Sequence, residues 1–299
     1  CTFVVTIAIF GTLNSIEFFK LACEQPRLLS TMYNKVYIAK NLGDLNYHYL
    51  DTFNSLANAI SRKAPVSNKT KTKVKTFLQS NSQNSTANKL NGVGKGKNLI
   101  VIQVEALQEF VINKKINGKE ITPNLNKWAK KSAYFNNYFY QTAAGGTSDA
   151  EFLSNNSLYP ASSGAVTQLY SGNDFNALPK VLKNQGYYTA GFHGFKETFW
   201  NRNIMYPKYG FEKFFGEKSF NIDEEIGLGL SDKSFLTQSI DKLKTLPKPY
   251  YAFLVTLTSH YPYDDVTKYG DFNVGEFNGT FLGNYLKSIN YTDKQIGMF

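Results

Sequence analysis

A chain of 299 residues with 42% hydrophobic and 15% aromatic content carries enough apolar material for one large or two smaller domains, which excludes a disordered polymer. Its two cysteines, Cys1 and Cys23, lie near the start, which excludes a disulfide framework or a cysteine metal cluster elsewhere and leaves oxygen and imidazole ligands for any metal. The charge of +10 sits at one end: residues 1–97 carry 13 Lys and Arg against 4 Asp and Glu, residues 98–299 carry 20 against 19, so no nucleic-acid partner is expected.

The chain starts at a cysteine and closes on Met298-Phe299, ends that read as those of a fragment of a longer protein. Residues 1–16 are uncharged and rich in Phe, Val, Ile and Leu until Glu17 and Lys20 interrupt them. A bilayer crossing needs about 20 apolar residues, so this stretch reads as the outer end of a transmembrane helix, with a buried core helix as the alternative. A signal peptide is disfavoured because no basic region precedes it. Residues 17–97 read as a helical neck and a basic linker. In the neck, Leu42, Leu45, Tyr49, Phe53, Leu56 and Ile60 recur at steps of three or four, which predicts an amphipathic helix. Arg62 to Lys97 contains no acidic residue, and reads as a solvated linker or as a segment drawn to an anionic membrane surface. Gly92, Gly94 and Gly96 punctuate its end, without the Gly-Lys-Ser/Thr spacing of a phosphate-binding loop.

From Asn98 the pattern changes. Leu99 to Val104 is a short, nearly continuous apolar run, expected of a strand buried on both faces in a parallel sheet. Helices are expected around 106–112 and 124–133. Tyr187 to Phe192 predicts a second strand after a helix over 178–184, and Tyr250 to Leu257 a third after a helix over 234–243. Alternating strands and helices give an α/β sheet covered on both faces.

Polar residues fall just after these strands: Glu105 after the first, His193 after the second, Ser259-His260 after the third. Ligands of open α/β sheets bind outside the carboxyl ends of the strands, so these residues are expected to converge. Between them, Gly145 and Gly146 allow close backbone approach, and Ser148 with Glu151 forms a capping-box pattern. Thr147 is then placed at a helix N-terminus, where amides and the helix dipole favour an anion. An alcohol nucleophile there needs activation, most simply by a metal ion; an ordinary loop and cap is the plainer reading of the same residues. His193 to Arg202 supplies an imidazole, the indole of Trp200 as an apolar wall and the guanidinium of Arg202 as a phosphate clamp. Taken alone, Trp200 reads as core and either histidine as structural. His260 adds a further donor or base, and His48 belongs to the neck.

Val104-Glu-Ala106, Asn117-Gly-Lys-Glu-Ile-Thr-Pro123, Thr147-Ser-Asp-Ala-Glu-Phe152, Asn156-Ser-Leu-Tyr-Pro160, His193-Gly194, Phe199-Trp-Asn-Arg202 and Leu257-Thr-Ser-His-Tyr-Pro262 resemble, in order and spacing, the extracellular domain of lipoteichoic acid synthases. The resemblance covers residues 98–299, and the neck and apolar start fit that family's arrangement. It implies an alkaline-phosphatase or sulfatase-like fold, of which 98–299 is the N-terminal part, on the outer face of a Gram-positive cell membrane. It implies a manganese ion, with magnesium as a substitute, on Glu105 and Thr147, and a glycerol phosphate pocket of His193, Trp200, Arg202 and His260. Thr147 is then also the nucleophile that takes phosphoglycerol from phosphatidylglycerol, for a glycolipid or polyglycerolphosphate acceptor. The family's Asp-His metal pair would fall beyond Phe299, which implies weak manganese binding and no activity for this chain alone. Phe195 stands where relatives often carry a polar residue. A phosphatase or sulfatase-type hydrolase and a non-catalytic wall-polymer-binding protein remain the alternatives, a true sulfatase being disfavoured by the absence of Cys/Ser-x-Pro-x-Arg.

Overall fold

The computed structural model describes residues 2–24, 28–31, 35–63, 65–82, 91–162 and 164–299, in two compact units, Cys1–Asn91 and Gly92–Phe299. The first is helical: α1 (Thr2–Glu24), α2 (Leu28–Thr31), α3 (Lys35–Leu42), α4 (Asp44–Lys63) and α5 (Asn68–Ser82). Leu21, Leu28, Leu29, Ile38, Leu42 and Leu50 form a small core, and the Asn54 side chain ties α4 to it by donating to the Leu29 carbonyl at 2.6 Å. The expected amphipathic helix is α4, yet of the series that predicts it only Leu42 is buried; Leu45, Tyr49, Phe53, Leu56 and Ile60 are exposed. The helix meets its neighbours through Tyr47, Leu50 and Asn54 instead. Within the basic stretch expected as linker, Ser67 accepts a hydrogen bond from the Thr70 amide at 3.2 Å and so caps the start of α5. Residues 83–90 of that stretch, and Cys1, lie outside the described residues. No helix among the described residues is long and apolar enough to cross a membrane. The apolar start opens α1, which continues through Glu17 and Lys20 to Glu24.

The second unit comprises, in chain order, β1 (Leu99–Gln103), β2 (Lys115–Ile116), β3 (Lys119–Glu120), α6 (Pro123–Ala129), α7 (Thr147–Asn156), α8 (Val166–Leu169), α9 (Leu178–Lys183), β4 (Tyr188–His193), α10 (Arg202–Tyr209), β5 (Lys213–Phe215), β6 (Glu225–Ile226), β7 (Gly229–Leu230), α11 (Asp232–Lys244), β8 (Tyr250–Val255) and α12 (Phe281–Met298). One parallel sheet runs β1-β8-β4-β5, and β2–β3 and β6–β7 are short antiparallel pairs. All residues of β8 are buried. Its alternate side chains enter opposite layers: Tyr251, Phe253 and Val255 pack with Phe152 of α7 and Met205, Tyr206 and Tyr209 of α10. Tyr250, Ala252 and Leu254 pack with Phe235, Leu236 and Leu243 of α11. Gly191 of β4 has no Cβ, and the Tyr206 ring occupies that space.

Three sequence expectations change. Among the described residues β1 pairs with β8 alone, and Leu99 and Ile100 are 37% and 41% exposed rather than covered on both faces. The helix expected over 106–112 is a single 3-10 turn at Glu109–Val111, because Ala106 takes φ +52°, outside the right-handed helical region. The helix expected around 124–133 ends at Ala129. β5 was not foreseen; three residues are too few to show a period.

Candidate active site

Parallel pairing sets the carboxyl ends of β1, β8 and β4 side by side. Glu105, just past β1, is held through its backbone: its amide donates to Thr256 Oγ1 at 2.9 Å and its carbonyl accepts from Ser259 Oγ at 2.7 Å, both partners lying on the chain that leaves β8. Gln103, the last residue of β1, donates from Nε2 to the Thr147 carbonyl at 3.2 Å. These ties meet in one contact: Thr147 Oγ1 donates to Glu105 Oε2 at 2.9 Å, across 42 residues of sequence.

The turn before Thr147 is built on Asp149. Its Oδ2 accepts from the amides of Ala143 and Gly145 at 2.9 and 3.0 Å. A Cβ on Gly145 would collide with that carboxylate, and Gly146 takes φ +47°, so the two glycines answer a lack of room and a left-handed backbone respectively. Thr147 is therefore the first residue of α7, as expected. The capping box is not formed. Ser148 Oγ donates back to the Gly145 carbonyl at 2.9 Å, and Glu151 turns inward to Arg202.

Arg202 is buried and its Nε-Nη2 edge is committed: Nε donates to both Glu151 oxygens at 3.1 Å and Nη2 to Oε1 at 2.6 Å. Tyr206 donates to Glu151 Oε2 at 2.7 Å; burial first and the Glu151 charge second hold its hydroxyl far above the usual phenol range, so it stays a donor. The Arg202 Nη1 group donates to the Phe199 carbonyl at 3.3 Å. The positive charge is thus fixed by a buried carboxylate beside the site. Buried His193 has Nδ1 3.0 Å from the Val255 carbonyl. A carbonyl only accepts, so Nδ1 carries the proton, and burial followed by the Arg202 charge keeps the ring neutral by pushing its pKa well below the usual histidine value. Trp200 and Asn201 take φ +55° and +57°, two successive non-glycine residues in the left-handed region, held in part by Asn201 donating to the Thr167 carbonyl at 3.1 Å. Edge-to-face contacts run His193–Phe195–Phe199–Trp200, so Phe195 continues an aromatic row instead of offering a polar group. His260 Nδ1 lies 2.6 Å from the Tyr261 carbonyl.

Burial pushes the Glu105 carboxyl above its ordinary range, opposed by the Thr147 hydrogen bond and, less strongly, by the nearby His260 and Arg202 side chains. No ion-pair partner holds Glu105 among the described residues. A desolvated carboxylate without an ion-pair partner that touches a hydroxyl fits part of the oxygen donor set of a hard divalent cation. No group of three or more His, Cys, Asp or Glu suited to a metal occurs among the described residues. Gln103, Thr256, Asp149 and Tyr206 support this site without having been singled out in sequence. Of these only Gln103, a polar residue closing an apolar run, gave a local signal.

The sulfatase family profile matches residues 97–299 and the lipoteichoic acid synthase N-terminal domain profile matches residues 1–64. The chain belongs to the lipoteichoic acid synthase family. It is similar to lipoteichoic acid synthase-like YvgJ of Bacillus subtilis, 38% identical over 280 residues, which cover 92% of this chain and 45% of that protein. It is also similar to lipoteichoic acid synthase 2 of the same organism, 37% identical over 92% of this chain and 43% of that one. The chain thus spans less than half the length of these curated relatives. Among solved structures it is similar to the lipoteichoic acid synthase LtaP from Listeria monocytogenes, with 34% identity, a TM-score of 0.66, and coverage of 69% of this chain and 52% of that one. The family's alkaline-phosphatase and sulfatase-like fold is the helix-flanked parallel sheet described above, and membership implies a metal cofactor.

Proposed function

We propose that the chain supplies the nucleophile and part of the metal site for phosphoglycerol transfer in lipoteichoic acid synthesis, on the outer face of a cell membrane. The observation that carries this reading is the Thr147–Glu105 hydrogen bond at the carboxyl edge of the sheet. Thr147 Oγ1 attacks the phosphorus of phosphatidylglycerol: an Oγ1–P bond forms, the P–O bond to diacylglycerol breaks, and the hydroxyl proton leaves with diacylglycerol. An acceptor alcohol, on a glycolipid or a polyglycerolphosphate chain, then attacks the same phosphorus, and its proton restores the threonine hydroxyl.

Glu105 and Thr147 are the residues that would hold Mn2+, or Mg2+ in its place. Such an ion supplies Lewis acidity that lowers the hydroxyl pKa and neutralises phosphoryl charge. The chain's own groups do the positioning. Glu105 fixes the Thr147 rotamer, Gln103 fixes its carbonyl, and the N-terminus of α7 favours negative charge at this end. Arg202 offers a permanent positive charge, His193 a neutral ring with its Nδ1 proton occupied, and Trp200 an apolar wall to the glycerol phosphate, with His260 on the chain that follows β8.

Mass spectrometry of the full-length protein exposed to phosphatidylglycerol and Mn2+ tests the reading. One glycerophosphate should appear on the peptide carrying Thr147, and none in Thr147→Ala. Release of free glycerol phosphate by Thr147→Ala at the wild-type rate overturns it.

A further inference from the structure

Unit one buries Leu21, Leu28, Leu29, Ile38, Leu42 and Leu50 and leaves a larger apolar surface uncovered. On α4, Leu45, Tyr49, Phe53, Leu56 and Ile60 are each at least 59% exposed. At 100° per residue they fall within one narrow stripe, roughly 22 Å long at 1.5 Å per residue. The opposite side of α4 is the one engaged with α1–α3, through Tyr47, Leu50 and the Asn54–Leu29 bond. The apolar face is therefore turned away from the only packing the helix makes among the described residues.

A second amphipathic helix follows in sequence. On α5, Val74, Phe77 and Leu78 are all more than half exposed. Helical spacing sets Lys71 and Lys75 along one border of this patch and Lys73 along the other, while Val66, Lys71, Val74, Lys75, Leu78 and Gln79 line a shallow depression. Between Asp51 and Glu105 there is no acidic residue, against nine Lys and Arg. An apolar stripe bordered by lysines is the pattern of a helix lying in a bilayer interface, because lysine stems follow the apolar surface while their ammonium groups reach the headgroups. The absence of acids fixes the sign of that surface.

We propose that α4 and α5 are interfacial helices, which lay their exposed apolar stripes on an anionic lipid leaflet. The occupant is the bilayer surface, chosen over a protein partner on α5 by the lysine borders and the run without acids, and on α4 by helical spacing that sets Asp44 and Asp51 on the side away from the stripe. The inference does not rest on the transfer chemistry. It gives the first unit a role of its own, as a basic, lipid-seated platform rather than a passive spacer.

The test uses the chain reconstituted into phosphatidylcholine vesicles with and without phosphatidylserine, an anionic lipid that is not the proposed donor. In a Cys1→Ser, Cys23→Ser background, single cysteines at Leu45, Phe53, Ile60 or Phe77 carry an environment-sensitive fluorophore, with labels at His48 and Ser55 as controls on the other side of α4. Nitroxide lipids labelled at a shallow acyl position should quench the four stripe labels and spare the controls. Lys71→Gln/Lys73→Gln/Lys75→Gln should remove the extra quenching of the Phe77 label that phosphatidylserine provides. Equal access of all labels to an aqueous quencher overturns the proposal. Stripe labels shielded from both aqueous and lipid quenchers also overturn it, showing that protein covers the face; if the shielding fades on dilution, the cover is a second copy.

Discussion

Glu151 and Arg202 have side chains 3% and 2% exposed, so neither charge is tolerated alone. Removing one member of such a buried pair costs about 3–5 kcal/mol, because the other stays desolvated and uncompensated. Glu151→Gln should therefore lower the melting temperature of unit two by roughly 10 °C, at about 2–4 °C per kcal/mol for a domain of this size. The double variant Glu151→Met/Arg202→Met should regain most of that loss in calorimetry yet remain inactive, since the positive charge beside the site is gone; a double variant as unstable as the single one would show that the pair is not the source. Gly145 makes a different prediction. A methyl there displaces the Asp149 carboxylate from the amides of Ala143 and Gly145 and shifts the turn that delivers Thr147. Gly145→Ala is expected to cost about 1–3 kcal/mol of stability and to reduce threonine adduct formation at least tenfold, whereas an unchanged adduct yield would mean that the turn has room to spare.

At the scale of elements, Asp232 joins three of them. Its Oδ1 accepts from the amides of Leu257 and Thr258 at 2.7 and 3.1 Å, its Oδ2 accepts from Thr292 of α12 at 2.7 Å, and its own amide donates to Thr258 Oγ1 at 2.8 Å. The start of α11, the chain leaving β8 and the middle of α12 are locked together beside His260. Asp232→Ala strands two buried amides and a hydroxyl at about 1–3 kcal/mol each, so a loss of at least about 3 kcal/mol is expected in chemical denaturation, with Asp232→Asn intermediate. The sequence showed β1, β4 and β8 because each is a bounded apolar run, and it showed α9 and α11 because each precedes one. It showed that Glu105 and Thr147 could meet because both follow local signals, a strand end and a Gly-Gly turn. Other features depend on partners far along the chain. Glu151 resembles a helix cap until Arg202, 51 residues on, is seen to claim it. Asp232 gives no local sign of its bonds to residues 25 and 60 positions away. The stripe on α4 announced a helix correctly but not which face would be buried, since Leu50 lies outside the series.

Over the whole molecule, the site binds its layers together through groups that titrate, and this gives stability a predictable pH dependence. His193 ends β4 and holds the Val255 carbonyl at the end of β8. Its pKa in the folded state is well below the ordinary value, because burial and the Arg202 charge both oppose protonation. In the unfolded chain it titrates near the ordinary value of about 6.5. Above that pH neither state binds the proton and the contribution of His193 is fully present. As pH falls through about 6.5 only the unfolded chain takes up the proton, so stability declines, with a limiting slope of about 1.4 kcal/mol per pH unit from this one residue. Asp232 and Asp293 act in the opposite sense: burial raises their folded pKa, so they lose stability as pH rises above the ordinary carboxylate value near 4. The window from pH 5.5 to 7 is where the histidine contribution is best read. His193→Asn retains a side-chain amide able to donate to the Val255 carbonyl but cannot titrate. Denaturant midpoints of the wild type should fall between pH 7 and 5.5 more steeply than those of His193→Asn. Parallel curves would show that this ring is protonated as easily folded as unfolded, and that the neutral, Nδ1-bound histidine between the two strands is not the resting state.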